Sequence, residues 1–406
     1  MNGKILNSHN LIIFILFLIV LSAIAQSIII DRICVVFLFV FCVMIGFQER
    51  YYLNPYLLFS LTPLSLLLYV NVSNVYMLDL THKTWLLSII NISAFLIALY
   101  YTSNHRSIRH CKGVGDGKAL IVSAVVLYLL SLLANLIPSL ASVLLLLKVP
   151  AIVSAMKSKR KIMILFALGI IISSFFGVTS KMSVLLNIIT ILICLEKYYL
   201  TTPKLKRFMP LLLIFSVFFM VFAFTFANKE RGVYDSTEGL SYFQERGVEW
   251  NYHADFYLPY MYLTTPWANL QYVTETQDSR TNGFWMIKPI LGYLQIDDNF
   301  RSKFQIKSYS SFNTFTFIVC GFKDFGYWLS ILVSLFLGFY VKKIYTRFVI
   351  SRSPLDVATY VCVALAVTEM FFSNHFFMLS YPFTMLILME IYKLTAARYI
   401  EIEEKI

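Results

Sequence analysis

The stretch LIIFILFLIVLSAIAQSIII, residues 11–30, has no charged side chain. An α-helix rises about 1.5 Å per residue, so some 20 residues cross the hydrocarbon core of a bilayer. The run is too long for the core of a signal peptide. The sequence therefore predicts a retained first membrane-spanning helix.

The composition of the whole chain agrees with this prediction. Of its 406 residues 59% are hydrophobic and 14% are charged, with a mean hydropathy of +0.72, whereas a soluble domain carries roughly a quarter charged residues. The six cysteines are scattered and mostly lie inside apolar runs, which indicates buried thiols. No zinc-type spacing is present, and we expect no metal and no cofactor.

Apolar spans recur along the chain and predict an all-α polytopic membrane protein with about twelve transmembrane helices. The predicted spans are 11–30, 33–47, 52–70, 85–101, 119–137, 139–156, 162–178, 182–196, 208–228, 325–341, 354–372 and 375–392. An even number of spans places both termini on the same side of the membrane.

Basic residues identify that side as the cytoplasm, because Lys and Arg accumulate in cytoplasmic loops. With this orientation the short outer loops hold only Arg32, Lys83 and Lys181. The membrane orientation then accounts for most of the net charge of +12, and no nucleic-acid partner is needed to explain this charge.

Lys148 precedes Pro150 within a predicted span. A broken helix with Lys148 reaching the inner surface is the simpler interpretation, and a functional lysine within the membrane is the alternative.

One connection, residues 229–311, is a long polar loop on the outer side. It divides the chain into an N-terminal bundle (1–228, about nine helices), the loop, and a C-terminal part (312–406, about three helices). The loop is rich in aromatic residues, unlike disordered segments, so we expect an ordered cap. The rings suit stacking on sugars, with Trp250 and Tyr257 as candidates; an interfacial aromatic belt is the open alternative.

The tetrapeptide ERGV occurs twice in this loop, at 230–233 and 245–248. Arg231 and Arg246 are candidate phosphate ligands, because a guanidinium offers a fork of donors that stays charged. Glu249 and His253 share a helical face with Arg246. Together they are a candidate catalytic base, because a carboxylate beside an imidazole can remove a proton near neutral pH. From spacing alone, a solvated Glu–His pair remains the simpler interpretation. Lys181 and Arg280 are further candidate phosphate ligands.

Three segments carry a resemblance to a known family: YLTTPWANLQYV (262–273), SRTNGFWMIKPILG (279–292) and the stretch 312–345, which contains Asn313, Thr314 and Asp324-Phe325-Gly326. They resemble the bacterial O-antigen polymerases (Wzy), which polymerise oligosaccharide repeat units. The layout of about twelve spans with one large outer loop is also similar.

The resemblance implies an inverting, metal-independent glycosyltransferase of the GT-C-like membrane class, in the bacterial inner membrane with its active site on the periplasmic side. Its substrates would be undecaprenyl-pyrophosphate-linked oligosaccharides, and its partners a chain-length regulator and a flippase. Arg231, Arg246, Lys181 and Arg280 would hold pyrophosphate, Glu249 or His253 would be the base, and Trp250, Tyr257 and Asn313 would contact sugar.

Two alternatives remain open at this stage. An O-antigen ligase shares the layout and the donor but transfers the glycan to the lipid A core. A lipid-linked oligosaccharide flippase or other transporter is not an enzyme, and it would be expected to have paired repeats and broken helices.

Overall fold

A computed structural model of the chain describes residues 8–71, 79–102, 149–150, 152–158, 161–162, 164–165, 168–169, 181–202, 205, 207–215, 257–276, 280–283, 314–351 and 353–373. These residues are helical or lie in turns, and no strand occurs among them. This confirms the all-α prediction for the described part of the chain.

The principal helices follow one another as α1 (Ser8–Ala25), α2 (Ile28–Gln48), α3 (Pro55–Phe59), α4 (Leu61–Asn71), α5 (His82–Tyr101), α6 (Lys181–Cys194), α7 (Tyr257–Thr276), α8 (Phe317–Ile350) and α9 (Pro354–Thr368). A π-helical turn, Leu195–Tyr199, continues α6. Further helical residues lie at 152–158 and 209–215.

Three of these helices are long and apolar enough to cross a membrane, namely α2, α5 and α8. Shorter apolar helices are Ile12–Ala25, Pro55–Tyr69 and Pro354–Thr368. Large apolar side chains such as Ile24, Ile29 and Phe336 are 76%, 69% and 65% exposed. Such an apolar surface fits contact with lipid. The total of about twelve spans stays a prediction.

The first boundary differs from the predicted one. The sequence places the turn between the first two helices at 31–32, whereas α1 ends at Ala25 and α2 begins at Ile28. Gln26 has φ +48°, so the chain reverses there. Asp31 then falls in the first turn of α2, where a carboxylate is favoured by the helix dipole.

Helices α2 and α5 and the part of α8 after Gly326 run parallel. Asp31 of α2 contacts His82 of α5, and further along the ring of Phe41 lies 6.0 Å from that of Tyr100. Along α8, the Tyr327 hydroxyl donates to the Lys83 carbonyl at one end. At the other end, Lys342 pairs with Glu49 at 3.4 Å. The bundle thus has two ends, which we name the Asp31 end and the Glu49 end after these residues.

A stripe of small residues on α8 forms its interface with α5. Ser330, Ser334 and Gly338 are spaced four residues apart, and both serines hydrogen-bond Asn91 of α5, at 3.2 Å and 2.7 Å. A Cβ atom at Gly338 would lie 2.3 Å from the carbonyl oxygen of Phe95. Small side chains and shared hydrogen bonds are the usual means by which apolar helices approach closely.

Helix α8 is broken at Gly326, where φ is +75° and ψ is −165°. Its first segment, 317–325, folds back on the second, so that a Cβ atom at Gly321 would lie 3.3 Å from the Cα of Ser330. The Phe317 ring lies 6.4 Å from Phe95, at the level where Gly338 crosses α5. The first segment therefore starts inside the bundle and rises to the Asp31 end.

Helix α7 lies within the stretch 229–311 that the sequence assigns to a loop. Trp267 is fully buried, and its Nε1 donates to the Ser65 hydroxyl of α4 at 2.9 Å. Asn269 donates to the Thr314 carbonyl at 2.6 Å. This part of the predicted cap is a helix packed into the bundle, and Trp267 serves the core and not an open sugar surface. The rest of 229–311 lies outside the described residues, except 280–283, so the domain division stays a prediction.

Candidate functional site at the Asp31 end

A buried carboxylate is the first component of the site. Asp31 has no exposed surface, and its Oδ1 accepts a hydrogen bond from the Ser22 hydroxyl of α1. Its Oδ2 lies 2.8 Å from Nδ1 of His82, the first residue of α5. The His82 side chain is 21% exposed. The imidazole ring is therefore held at Nδ1 while part of the side chain remains accessible.

The second component is the turn 280–283, which wraps around the break in α8. The amides of Thr281 and Asn282 donate to the carbonyls of Lys323 and Asp324 at 3.1 Å and 3.0 Å. The Thr281 hydroxyl also donates to the buried Asp324 carboxylate. Asn282 and Gly283 both have positive φ, at 47° and 89°, values typical of a tight turn built on Asn-Gly. Three hydrogen-bond donors of this turn thus hold it against α8.

This turn carries Arg280, one of the predicted phosphate ligands. Its guanidinium covers Gly326, where a Cβ atom would lie 2.9 Å from Nε. Glycine is favoured at 326 because φ is +75°, a value that other residues rarely adopt. The Arg280 side chain is exposed beyond this contact.

Tyr327 joins the two components. It follows Gly326 directly, and its hydroxyl donates to the carbonyl of Lys83, the neighbour of His82. Arg280 and the Asp31–His82 pair therefore lie at the same end of the bundle.

Helix α7 closes the site from a further side. Gln271 accepts hydrogen bonds from the amide and hydroxyl of Thr81, at 3.0 Å and 3.2 Å, and Thr274 lies 2.7 Å from the Thr84 hydroxyl. Two polar contacts thus hold the C-terminal turns of α7 against the start of α5, where His82 lies.

The charges at this end are mixed. Exposed cationic side chains are Arg32, Lys83 and Arg280, and exposed carboxylates are Asp79 and Glu275. Asp31 and Asp324 are buried carboxylates, and Lys323 is a buried cation. The arrangement offers guanidinium and ammonium donors for an anion beside a histidine that a carboxylate holds in place. Among the described residues, no group of three His, Cys, Asp or Glu side chains is placed to hold a metal ion.

The other predicted site residues are placed as follows. Glu249, His253, Arg231, Arg246, Trp250 and Asn313 lie outside the described residues, as does Lys148. Tyr257 begins α7 and Lys181 begins α6. Residue 196, just past the end of α6, is at the Glu49 end. Because a helix rises about 1.5 Å per residue, the backbone of Lys181 lies about 20 Å from residue 196 along the helix axis. The predicted grouping of these residues stays a prediction.

Sequence reasoning missed the pairing of Asp31 with His82. The two residues are 51 positions apart, and no periodic pattern links them. A charged residue within an otherwise apolar run was the available signal, because a buried carboxylate requires a partner.

The Glu49 end differs in its contacts. The buried Glu196 carboxylate accepts from the amides of Tyr52 and Leu53 at 2.6 Å and 3.2 Å. Lys197 Nζ donates to the Phe348 carbonyl at 2.5 Å and lies 4.6 Å from the centre of the Phe348 ring. Burial raises the pKa of the nearby Tyr51 phenol, with Arg50 lowering it and Glu196 raising it further. These groups are engaged with one another, which indicates structural roles.

Comparison with protein families, curated proteins and solved structures gives no match for this chain.

Proposed function

We propose that the chain is a glycosyltransferase that polymerises lipid-pyrophosphate-linked oligosaccharide repeat units at the periplasmic face of the bacterial inner membrane, as an O-antigen polymerase does. The observation that carries the proposal is the position of Arg280. The turn that carries Arg280 is hydrogen-bonded to α8, and the Arg280 guanidinium lies over Gly326, at the same end as Arg32, Lys83 and the Asp31–His82 pair.

The distribution of basic residues over the two ends supports the orientation. Among the residues that the structure describes, the Glu49 end has the larger set of basic residues, namely Arg50, Lys157, Lys197, Arg207, Lys342, Lys343 and Arg347. By the positive-inside rule this end faces the cytoplasm. The Asp31 end then faces the periplasm, where repeat units linked to undecaprenyl pyrophosphate would be joined.

Glycosyl transfer from a lipid pyrophosphate requires cationic groups beside the departing phosphate, and the Asp31 end provides them. When the bond from the anomeric carbon to the phosphate oxygen breaks, negative charge grows on the departing pyrophosphate. A guanidinium that contacts these oxygens stabilises the transition state more than the ground state, which is the condition for acceleration. Arg280 takes this role here, with Lys83 and Arg32 as neighbouring cations; Arg231, Arg246 and Lys181 remain further candidates.

Replacement of Arg280 tests the proposal. The readout is the polymerisation of lipid-linked repeat units by purified protein in detergent. We expect Arg280→Ala to lower the rate about 100-fold, the cost of removing one preorganised donor. Arg280→Lys keeps the charge but loses the fork of donors, so its polymerisation rate should lie between those of wild type and Arg280→Ala. Arg207→Ala, which removes an exposed arginine from the Glu49 end, is the matched control and should polymerise normally.

The outcome that contradicts the phosphate role is equal polymerisation by Arg280→Ala and Arg207→Ala. A wild-type protein that leaves purified repeat units unpolymerised would contradict the polymerase function itself. A ligase is distinguished in cells by a null strain, since loss of a polymerase leaves one repeat unit per core and loss of a ligase leaves none.

A transporter is the second candidate, and one observation favours it. The start of α8 lies inside the bundle, where the amides of Phe315 and Phe317 donate to the carbonyls of Phe372 and Met370 at 3.2 Å and 2.9 Å. Non-helical backbone buried at this depth is a feature of transport sites. Accumulation of lipid-linked units on one leaflet of proteoliposomes, without polymer, would support this alternative.

A further inference from the structure

We infer that His82 accepts the proton of the attacking sugar hydroxyl and that Asp31 is its positioning residue. The inference rests on the proposed glycosyl transfer and names a proton acceptor within the described part of the chain. It is based on the chain of contacts from Ser22 through Asp31 to His82.

The contact with Asp31 sets which nitrogen of His82 carries the proton when that carboxylate is ionised. An ionised carboxylate only accepts hydrogen bonds, so in this state Nδ1 of His82 donates across the 2.8 Å contact. In the neutral ring the other nitrogen, Nε2, is then unprotonated and able to accept. The Ser22 hydroxyl donates to the second oxygen of Asp31, which holds the carboxylate in place.

Burial separates the roles of the two residues. Asp31 is fully buried, whereas the His82 side chain is 21% exposed. Asp31 is therefore shielded from a substrate and acts through His82. His82 is the first residue of α5 and the neighbour of the exposed Lys83, so a substrate held by the cations of this end would pass the accessible part of the ring.

The proposed step balances as follows. The acceptor hydroxyl oxygen forms a bond to the anomeric carbon of the donor sugar while Nε2 of His82 takes the hydroxyl proton. The bond from the anomeric carbon to the pyrophosphate oxygen breaks, and its electron pair leaves with the lipid pyrophosphate. His82 becomes an imidazolium, which the Asp31 carboxylate stabilises. The proton then passes to water as the product leaves.

A purely structural pair is the alternative, in which His82 only satisfies the buried carboxylate. His82→Asn separates the two, because Nδ2 of asparagine lies at the position of Nδ1 and still donates to Asp31, but no basic nitrogen remains. A structural role predicts an active variant. A proton acceptor predicts a kcat reduced about 100-fold or more, with KM and the thermal midpoint close to wild type.

The experiment measures polymerisation by purified wild type, His82→Asn, His82→Ala and Asp31→Asn with the same lipid-linked units, and adds imidazole to the reaction of His82→Ala. We expect imidazole to restore part of the lost kcat of His82→Ala and to have no effect on the wild type. Asp31→Asn should lower kcat more than it changes KM, since it removes the negative charge that stabilises the imidazolium.

An active His82→Asn overturns the inference while the polymerase proposal stands, because the wild type still makes polymer. If His82→Asn unfolds, His82→Ala decides the question, and absence of rescue by imidazole overturns the inference. If the wild type makes no polymer, both this inference and the proposed function fail.

Discussion

Gly338 of α8 lies against the backbone of Phe95 in α5, so closely that a Cβ atom at 338 would be 2.3 Å from the Phe95 carbonyl oxygen and 2.9 Å from the Cβ of Ala98. Neither neighbour is the end of a flexible side chain. The two helices can approach this closely only with glycine at position 338.

Gly338→Ala should therefore destabilise the protein. We expect a loss of about 1–3 kcal/mol, the range for an overpacked interior, visible as a lower thermal midpoint of the detergent-solubilised protein. Gly169→Ala is the control, because nothing lies within 4 Å of a Cβ atom there. Equal midpoints for the two variants would contradict the close crossing of α5 and α8.

Trp267 tests whether α7 belongs to the interior of the bundle. We expect Trp267→Ala to cost about 3–5 kcal/mol, the usual result of removing a buried aromatic side chain, and Trp267→Phe to cost about 1 kcal/mol for the hydrogen bond to Ser65. Thermal unfolding in detergent measures both values.

Trp328→Ala is the matched control for Trp267, since that tryptophan is 77% exposed. Its replacement should change the unfolding free energy by less than about 0.5 kcal/mol. A Trp267→Ala protein as stable as Trp328→Ala would show that 257–276 does not pack against α4.

Glu196 should control the local stability of the connection between α2 and α3. Its carboxylate accepts from two backbone amides, at 52 and 53, and a partly buried amide without an acceptor costs about 1–3 kcal/mol. Glu196→Ala should accelerate hydrogen exchange of the peptide that covers 49–54. Asp79→Ala, which removes an exposed carboxylate, should leave that exchange unchanged; equal exchange in both variants would remove Glu196 from this role.

Labelling of single cysteines tests the opposite orientation of the two ends. The native cysteines at 34, 42, 194 and 362 are buried, but Cys320 is partly exposed, so a variant without native cysteines is the suitable background. Lys83→Cys should react with a membrane-impermeant maleimide added to spheroplasts, and Arg207→Cys should react only after the membrane is opened. Both residues are exposed. The reverse order of reactivity would place the candidate site in the cytoplasm.

Much of the fold could be predicted because helical spans are encoded locally. The predicted spans 85–101 and 354–372 lie on α5 and α9 with shifts of a few residues. Helix α8 was predicted to begin at 325, yet its helical path begins at Phe317. The first segment is polar at Lys323 and Asp324, and hydropathy therefore left it outside the predicted span 325–341. Both residues are buried, which explains how the segment enters the bundle.

The candidate site was less accessible to prediction. Arg280 was named from its residue type in an aromatic, polar loop, but its position over Gly326 depends on the turn 280–283 meeting α8. The polar part of α7 was read as loop because its hydropathy is low. Its polar residues instead find partners inside the bundle, as Asn269 does with the Thr314 carbonyl.

By itself the sequence determined that the described chain is built of apolar helices, because a backbone within lipid must satisfy its hydrogen bonds inside each segment, and this requirement acts over a few residues. The tertiary structure alone decided that Asp31 meets His82 and that Arg280 covers Gly326. These contacts join segments far apart in the chain, and they form only when side-chain size at crossings such as Gly338 sets how closely the helices pack and which residues share one end.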